Sequence, residues 1–234
     1  MVASDNAQPF GISMHPPIAE QFLLNQVPMR YRALFPSLVR DARAAAAMIA
    51  RNEPIFQTES AKANHGRLVS WAVDLGIETL IKSGRWPVDY RWKPFAKPTG
   101  KYLEVRLSHS VMSVSQVTDP TIQPRDVVFR QNARLNNQPT FGFAEFDDTR
   151  STIGLPSFLL IHGRIVRGEE DHEFVHIGVP NHIHSRNYIY KTPNLMQMVH
   201  DISSDLPPVE DTETEAVLSL KDDIEKWRRD NGYE

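Results

Sequence analysis

The sequence predicts an α+β fold, with helices at the N-terminus, a central mixed or mostly antiparallel sheet, and helices again at the C-terminus. Three observations lead to this fold class. Apolar residues recur at helical spacing before residue 84. From residue 86 to about residue 190, short apolar alternations are separated by Pro, Gly and Asn, as in strands joined by turns. Helical spacing returns after residue 194, and this grouped order of elements is typical of α+β proteins.

The composition matches ordinary globular proteins and excludes several other classes. Of the 234 residues, 41% are hydrophobic and 24% are charged. No apolar run approaches the roughly 18 residues that a membrane-spanning helix needs, and the N-terminal residues lack the pattern of a signal peptide. The absence of cysteine excludes disulfides, thiolate metal sites and cysteine nucleophiles. We therefore expect a cytoplasmic protein with no membrane partner.

The chain is predicted to form one folded domain with appendages. Residues 1–16 are polar and show no periodicity, so we expect a flexible tail there. Residues 17–203 are predicted to form a single α+β domain, and the Pro- and acid-rich residues 204–211 a linker. Residues 212–232 contain a capping box and an apolar stripe, which predict a C-terminal amphipathic helix. This stripe has to be buried, either against the domain or in a homodimer.

Two substantial helices are predicted in the N-terminal part, after a short one that follows Pro17. The first begins after Ser37, which can act as its N-cap. The second runs from about Ser60 to Ser83 and ends at Gly84, where a left-handed residue is expected. Its acids Asp74 and Glu78 are one turn apart, which predicts that one of them faces inward. The apolar stripe of the first helix consists of Leu38, Ala42, Ala45 and Ile49.

The first predicted strands are VDYRWKPF and KYLEVRLSHSVMSVSQV, which should form a hairpin because PTG between them is a turn signal. Successive side chains of a strand point to opposite faces of its sheet. Leu103, Val105 and Leu107 should therefore face one way, and Tyr102, Glu104 and Arg106 the other.

Four more strands are predicted further along the chain. SFLLIHGRIV and HEFVHIGV should pair across RGEED, a hairpin loop of acceptable length. RDVVFRQNARL and TFGFAEF are the other two candidates. After them, NLMQMVHDI is predicted to be a helix.

Several histidines lie close together between residues 171 and 184. On a strand, His172 and His176 face the same way but stand about 13 Å apart at 3.3 Å per residue, which is too far to share a zinc ion. His182 and His184 form a pair that can chelate, but the sequence shows no further ligands beside it. We interpret the four histidines as structural or surface residues, with a metal site as the alternative.

Residues 82–134 are strongly basic. They carry ten cations and four acids, a net charge of +6 in a chain whose total charge is −3. Such asymmetry favours a polyanionic partner, and the interleaved aromatics are typical of nucleic-acid surfaces. The alternative is an amphipathic sheet whose Arg and Lys stems cover apolar surface. The predicted nucleic-acid-binding residues are Arg85, Arg91, Lys93, Lys97, Lys101 and Trp92.

The same region contains carboxylates spaced for metal-dependent phosphodiester chemistry. Such an enzyme needs two carboxylates that converge on Mg²⁺ and a cation near the scissile phosphate. Glu104 and Arg106 share one strand face, and the hairpin can bring Asp89 beside them. The predicted catalytic set is Asp89, Glu104, Arg106 and Glu78, with Asp89 and Glu104 as the Mg²⁺ ligands. The alternative is a structural hairpin with ordinary cross-strand pairs.

Residues 60–117 resemble the core of PD-(D/E)XK nucleases, in which a helix with an acid is followed by a strand Asp, a loop and Glu-x-Lys. The resemblance implies a degenerate metal-dependent nuclease that uses Mg²⁺. Arg106 stands where that family has lysine, and Val88 stands where proline precedes the Asp; arginine keeps the charge but does not release a proton.

Two functions follow from the sequence. The first is a DNA- or RNA-binding protein, with or without nuclease activity. The second is a non-enzymatic interaction protein that forms homodimers or other oligomers through residues 212–232.

Overall fold

The α+β class is confirmed, because helices precede a six-stranded mixed sheet. The predicted linker 204–211 and C-terminal helix 212–232 lie outside the described residues, apart from residue 226, which is helical. The predicted tail lies outside them as well, except for Pro16. The computed structural model describes residues 16–95, 100–125, 127–137, 154–167, 170–198 and 226.

The N-terminal part consists of helices, as predicted. The stripe predicted for the first long helix is buried, but this helix begins one turn earlier than Ser37, whose hydroxyl donates to the Leu34 carbonyl over 3.1 Å. Within the described ranges, no helix combines the length and the hydropathy needed to cross a bilayer. The helices are α1 (Pro16–Gln26), α2 (Met29–Arg32), α3 (Leu34–Asn52), α4 (Glu59–Lys62) and α5 (His65–Lys82), with a 3₁₀ turn at Pro54–Gln57.

The second long helix is divided near its start. The chain turns at Asn64, whose side-chain amide donates to the Ser60 carbonyl over 3.0 Å. Asparagine favours such local bonds over a continuous helix, so α4 and α5 replace the single helix predicted from Ser60. At the other end the prediction is confirmed, because Gly84 has a φ of +74°.

The sheet has the strand order β1-β2-β3-β4-β5-β6, with antiparallel neighbours except for the parallel pair β3/β4. Both predicted hairpins are present. The second hairpin is tighter than predicted, since its strands extend into RGEED. The segment predicted as one strand from Lys101 forms two, separated by a turn in which Leu107 N donates to Ser110 O. The strands are β1 (Asp89–Pro94), β2 (Lys101–Arg106), β3 (Val111–Val117), β4 (Ser157–Arg167), β5 (Glu170–Pro180) and β6 (Tyr188–Lys191).

The strand prediction for RDVVFRQNARL is wrong, because Val128–Leu135 forms helix α6. Its later residues are Arg, Gln, Asn, Ala, Arg and Leu, most of which are good helix formers, and only its beginning is rich in β-branched side chains. The helix is anchored at Phe129, whose ring stacks on Tyr102 with centroids 4.2 Å apart. NLMQMVHDI contains the short helix α7 (Leu195–Met198), and TFGFAEF lies outside the described residues.

The main core lies between the N-terminal helices and one face of the sheet, which we call the helix-covered face. Phe35 of α3 meets Trp86 edge-on at a centroid distance of 5.2 Å, and both are fully buried. We call the opposite side the second face; a smaller apolar cluster of Leu159, Ile161 and Phe174 lies there. Strand residues of the helix-covered face include Tyr90, Trp92, Leu103, Val105, Met112, Phe158, Leu160, Val175 and Ile177.

Candidate nucleic-acid interface

The β1–β2 hairpin places the predicted charged residues in three cross-strand rows on the second face. Directly opposed residues of an antiparallel pair project to the same side of the sheet. On the second face, each row therefore contains one cation, which lies opposite an acid in two rows and opposite an aromatic residue in the third. The three opposed pairs are Asp89 with Arg106, Arg91 with Glu104, and Lys93 with Tyr102.

Glu104 is the centre of this arrangement. Its side chain is only 7% exposed, and a buried carboxylate without partners would be strongly disfavoured. Arg91 Nε lies 2.7 Å from Glu104 Oε1, and Lys93 Nζ lies 2.7 Å from Oε2. Each carboxylate oxygen is thus bound by a different cation. The two cations keep about a third of their side-chain surface exposed, at 35% and 33%.

Asp89 and Arg106 lie at the open end of the hairpin, and both are exposed. Asp89 is directly opposite Arg106, so it is a diagonal neighbour of Glu104. Diagonal positions in such a ladder have Cα atoms about 7–8 Å apart. The structure therefore brings Asp89, Glu104 and Arg106 onto one face. Asp89 lies directly opposite Arg106, and Glu104 is its more distant, diagonal neighbour.

Glu78 lies on the other side of the sheet. It is buried on α5, where it accepts a hydrogen bond of 2.6 Å from the Tyr90 hydroxyl and lies 2.7 Å from Lys82 Nζ. Burial alone would raise the pKa of Glu78, but hydrogen bonds from Lys82 and Tyr90 lower it overall. Tyr90 belongs to the helix-covered face, so the structure does not bring Glu78 together with Glu104.

Asp74, one turn earlier on α5, is partly buried. Burial, followed by the negative charge of Glu78, raises the pKa of Asp74 to about 7. The inward-facing acid expected from the sequence is therefore Glu78, which has cationic and phenolic partners, while Asp74 sits beside it in an environment that disfavours its charge.

The donors that Mg²⁺ requires are not assembled at the hairpin. Both oxygens of Glu104 are bound by cations, and Asp89 lies in the next row. Across the described residues, no group of three or more His, Asp or Glu side chains is arranged to hold a metal ion. The residues present do not fit a two-carboxylate Mg²⁺ site in this arrangement.

The clustered histidines are separated by the fold. His176 is buried on β5, with its Nδ1 2.8 Å from the Thr192 carbonyl, whereas His172 on the same strand is exposed. His184 is also exposed and His182 is partly buried, both in the turn before β6. This placement agrees with structural and surface roles for the four residues.

An aromatic stack lies beside the Lys93 end of the hairpin. Tyr102, Phe129 of α6 and Phe95 contact one another in a triangle, with centroid distances of 4.2 Å from Tyr102 to Phe129 and 5.3 Å for each of the other two pairs. Burial, followed by the negative charge of Glu104, raises the pKa of the Tyr102 phenol, so this ring stays neutral. All three rings are half-buried, which leaves part of the stack accessible.

Helix α6 adds Arg130, which belongs to the basic segment 82–134 but was not among the predicted binding residues. Arg130 donates from Nη2 to the Ser115 hydroxyl over 3.0 Å, and its guanidinium lies 4.9 Å from the centre of the Phe129 ring. Phe129 and Arg130 were missed because their segment was interpreted as a strand. The signal that could have found them is the run of good helix formers that follows Phe129.

The remaining predicted binding residues do not join this face. Trp92 projects to the helix-covered face and packs against the main core. Arg85 is exposed near α3, where its charge acts on Asp41. Lys101 is exposed at the start of β2, and Lys97 lies outside the described residues.

The assignment of a function rests on this geometry. No family model, no curated protein and no solved structure matches the chain.

Proposed function

We propose that the chain binds nucleic acid through a basic sheet face, defined as Arg91, Lys93, Arg106 and Arg130. The observation that carries the proposal is the pair of cations held by one buried carboxylate. Glu104 fixes Arg91 and Lys93 side by side while each remains about one-third exposed. Cations fixed in this way lose less side-chain entropy when they bind a phosphate than freely moving ones do.

The spacing of the two cations suits a phosphate backbone. Arg91 and Lys93 are two residues apart on one strand, about 6.6 Å at 3.3 Å per residue. Their charged groups can therefore contact phosphates of neighbouring nucleotides. Because Glu104 is almost fully buried, the accessible part of the cluster is cationic.

The aromatic stack favours unpaired bases as the second component of the interface. Single-stranded nucleic acids are bound by combining phosphate contacts with aromatic rings on which bases stack. Tyr102 lies directly opposite Lys93 in the register, so a partly exposed ring and a cation are cross-strand neighbours. We therefore expect single strands of DNA or RNA to bind more tightly than duplexes.

The proposal is limited to binding. Both oxygens of Glu104 are bound by cations and Asp89 lies in the next row, so these residues do not fit the Mg²⁺ site that cleavage would need.

The direct test is fluorescence anisotropy with labelled single-stranded DNA and RNA at several salt concentrations. If four cations contact phosphates, the logarithm of affinity should fall against the logarithm of salt with a slope of about −2.8. The double variant Arg91→Gln/Lys93→Gln should reduce the slope to about −1.4. Arg30→Gln is the matched control, because Arg30 is an exposed cation on α2.

Two results would contradict the proposal. One is the absence of salt-dependent binding to any of the labelled strands. The other is an equal affinity and slope for the double variant and the Arg30 control, since phosphate contact would then lie elsewhere on the molecule.

A further inference from the structure

A cavity of about 580 Å³ lies on the helix side of the sheet, remote from the basic sheet face. It opens between α3, the first turn of α5, and the facing parts of β4 and β5. Three arginines line it: Arg40 and Arg43 from α3, and Arg164 from β4. Glu173 is the one carboxylate among its lining residues. With His65 neutral, the lining therefore carries a net charge of +2.

Arg43 is the most deeply placed of the three cations. Its Nε lies 3.3 Å from Glu173 Oε1, while its Nη2 is buried and has no hydrogen-bond partner among the described residues. Burial lowers the pKa of Arg43, and the nearby charge of Arg164 lowers it further, with Glu173 acting in the opposite sense. The buried Nη2 of Arg43 is therefore a donor that an anionic ligand in the cavity can satisfy.

A second buried polar group lies near Arg43. His162 on β4 is fully buried, and neither of its ring nitrogens has a hydrogen-bond partner in the described part of the chain. Burial, assisted by the charge of Arg43, lowers the pKa of His162 to about 3, so the ring is neutral near pH 7. His162 is not among the residues that line the cavity, so a ligand is expected to contact Arg43 rather than this ring.

The floor of the cavity is made of small apolar side chains. Arg40, Arg43, Ala44 and Ala47 lie three, four and seven positions apart, so they share one face of α3. Across the cavity, Val69 of α5 continues the apolar surface. Small side chains at these positions create the space, while the two arginines of the same helix supply the charge.

We infer that this cavity binds a small molecule carrying a phosphate monoester, with the rest of the molecule on the alanine floor. A monoester carries a charge of about −1.5 to −2 near pH 7, which matches the net charge of the lining. The planar guanidinium fork is suited to phosphate oxygens. A volume of about 580 Å³ is larger than one phosphate needs and lies within the usual range for small organic ligands.

The inference is independent of nucleic-acid binding. Arg164 and Glu173 alternate with the second-face residues of their strands, so the cavity and the basic sheet face lie on opposite sides of the sheet. Either site can therefore fail in an experiment without affecting the other.

Isothermal titration calorimetry with phenyl phosphate tests the site. We expect phenyl phosphate to bind to the full chain more tightly than inorganic phosphate, and phenol not to bind. Arg43→Gln should weaken the binding of phenyl phosphate at least tenfold. Arg40→Gln should weaken it about fivefold, and it serves as the second variant because Arg40 makes no ion pair within the described ranges. Arg30→Gln should leave it unchanged.

Three outcomes would overturn the inference. The first is no detectable binding of phenyl phosphate by the wild-type chain. The second is wild-type affinity in both the Arg43 and the Arg40 variant. The third is binding of benzoate as tight as that of phenyl phosphate, which would make this a general carboxylate site. Thermal unfolding of each variant verifies that it is folded before its affinity is compared.

Discussion

Glu78 and Glu104 are buried carboxylates on opposite faces of the same sheet, and they are stabilised in different ways. Glu78 accepts from the neutral Tyr90 hydroxyl and pairs with Lys82, whose side chain is 64% exposed. Glu104 binds two cations that are each about two-thirds buried. The helix-covered face thus satisfies its acid mainly within the protein, whereas the second face gathers more positive charge than its acid neutralises.

The β1–β2 hairpin serves two environments. Along β2, Leu103 and Val105 face the helices, and Tyr102 and Glu104 face the other way. Because successive side chains of β2 point to opposite faces, its six residues contribute both to the apolar core and to the charged second face. We expect the truncation of apolar side chains on the helix-covered face to lower stability most, and the neutralisation of cations on the second face to weaken binding in addition to its smaller effect on stability.

The largest expected difference is between Phe158→Ala and Ser113→Ala. Phe158 is fully buried on the helix-covered face, and its ring lies 5.6 Å from that of Phe22. Its truncation should lower the free energy of unfolding by about 3–5 kcal/mol. Ser113 is half-buried on the second face, and its change should stay within about 0.5 kcal/mol. Urea unfolding measures both, and similar losses would remove the distinction between the faces.

Glu104→Gln should cost more stability than Glu78→Gln. Removing the Glu104 charge leaves two partly buried cations without their counter-ion, a loss of about 2 kcal/mol after allowance for solvent. At Glu78 the lysine partner can remain in water, so we expect about 1 kcal/mol. The same urea titrations give both values. The reverse order would show that Glu104 is less important than its two contacts indicate.

His162 is a fully buried polar side chain on the helix-covered face, and neither of its ring nitrogens has a hydrogen-bond partner among the described residues. His162→Leu removes an unpaired buried group, so it should raise the free energy of unfolding by about 1 kcal/mol at pH 7. The pKa of about 3 in the folded chain lies below the ordinary 6.5, so the unfolded chain takes up the proton first as pH falls. Wild-type stability should therefore be lost progressively from about pH 6.5 towards pH 3, and the variant should lack this component.

The pH effect has to be measured as a difference between variant and wild type. Asp74, with its pKa raised to about 7, contributes the opposite slope, because its stability contribution is lost as pH rises from its ordinary 3.8 through 7. Asp74 is present in both chains and cancels in the difference. A difference that does not grow below pH 6 would show that His162 is protonated in the folded protein.

The smallest expected effect separates Lys82 from Lys93. Lys82 forms an exposed i,i+4 pair with Glu78, so Lys82→Gln should cost about 0.3 kcal/mol. Lys93 is more buried and holds one oxygen of Glu104, so Lys93→Gln should cost about 1 kcal/mol. Thermal unfolding at low salt can resolve this difference. Equal costs would indicate that Lys93 is solvated as freely as Lys82.

Periodicity predicted most of this framework. The α3 stripe, the faces of β2 and the pairing of β4 with β5 all follow from spacings of 3.6 or 2 residues. The alternation of β2 also placed Glu104 on the face away from the helices. The predicted catalytic set nevertheless combined Glu104 with Glu78, which belongs to one of those helices and contacts Tyr90 and Lys82 instead.

The strand register, helix α6 and the lining of the cavity could not be predicted from the spacing of apolar residues. The register that sets Asp89 opposite Arg106 is determined by the turn between β1 and β2, which the sequence pattern left open. Helix α6 was missed because tertiary contacts at Phe129 outweigh the preference of a short β-branched run. Arg40 and Arg43 could have been noticed on the alanine face of α3, but Arg164 and Glu173 reach them only through the folded sheet.

The parallel pairing of β3 with β4 bears on the order in which the molecule assembles. Each half of the sheet, β1–β3 and β4–β6, is a meander that short turns can close locally. Joining the halves pairs residues that are 46 positions apart in the chain, such as Val111 with Ser157, and such a long closure carries a greater entropic cost. We expect the pairing of β3 with β4 to form last, so that in pulsed hydrogen exchange the amides of residues 114–117, which lie beyond the β2 pairing, gain their protection later than those within the β4–β5 hairpin.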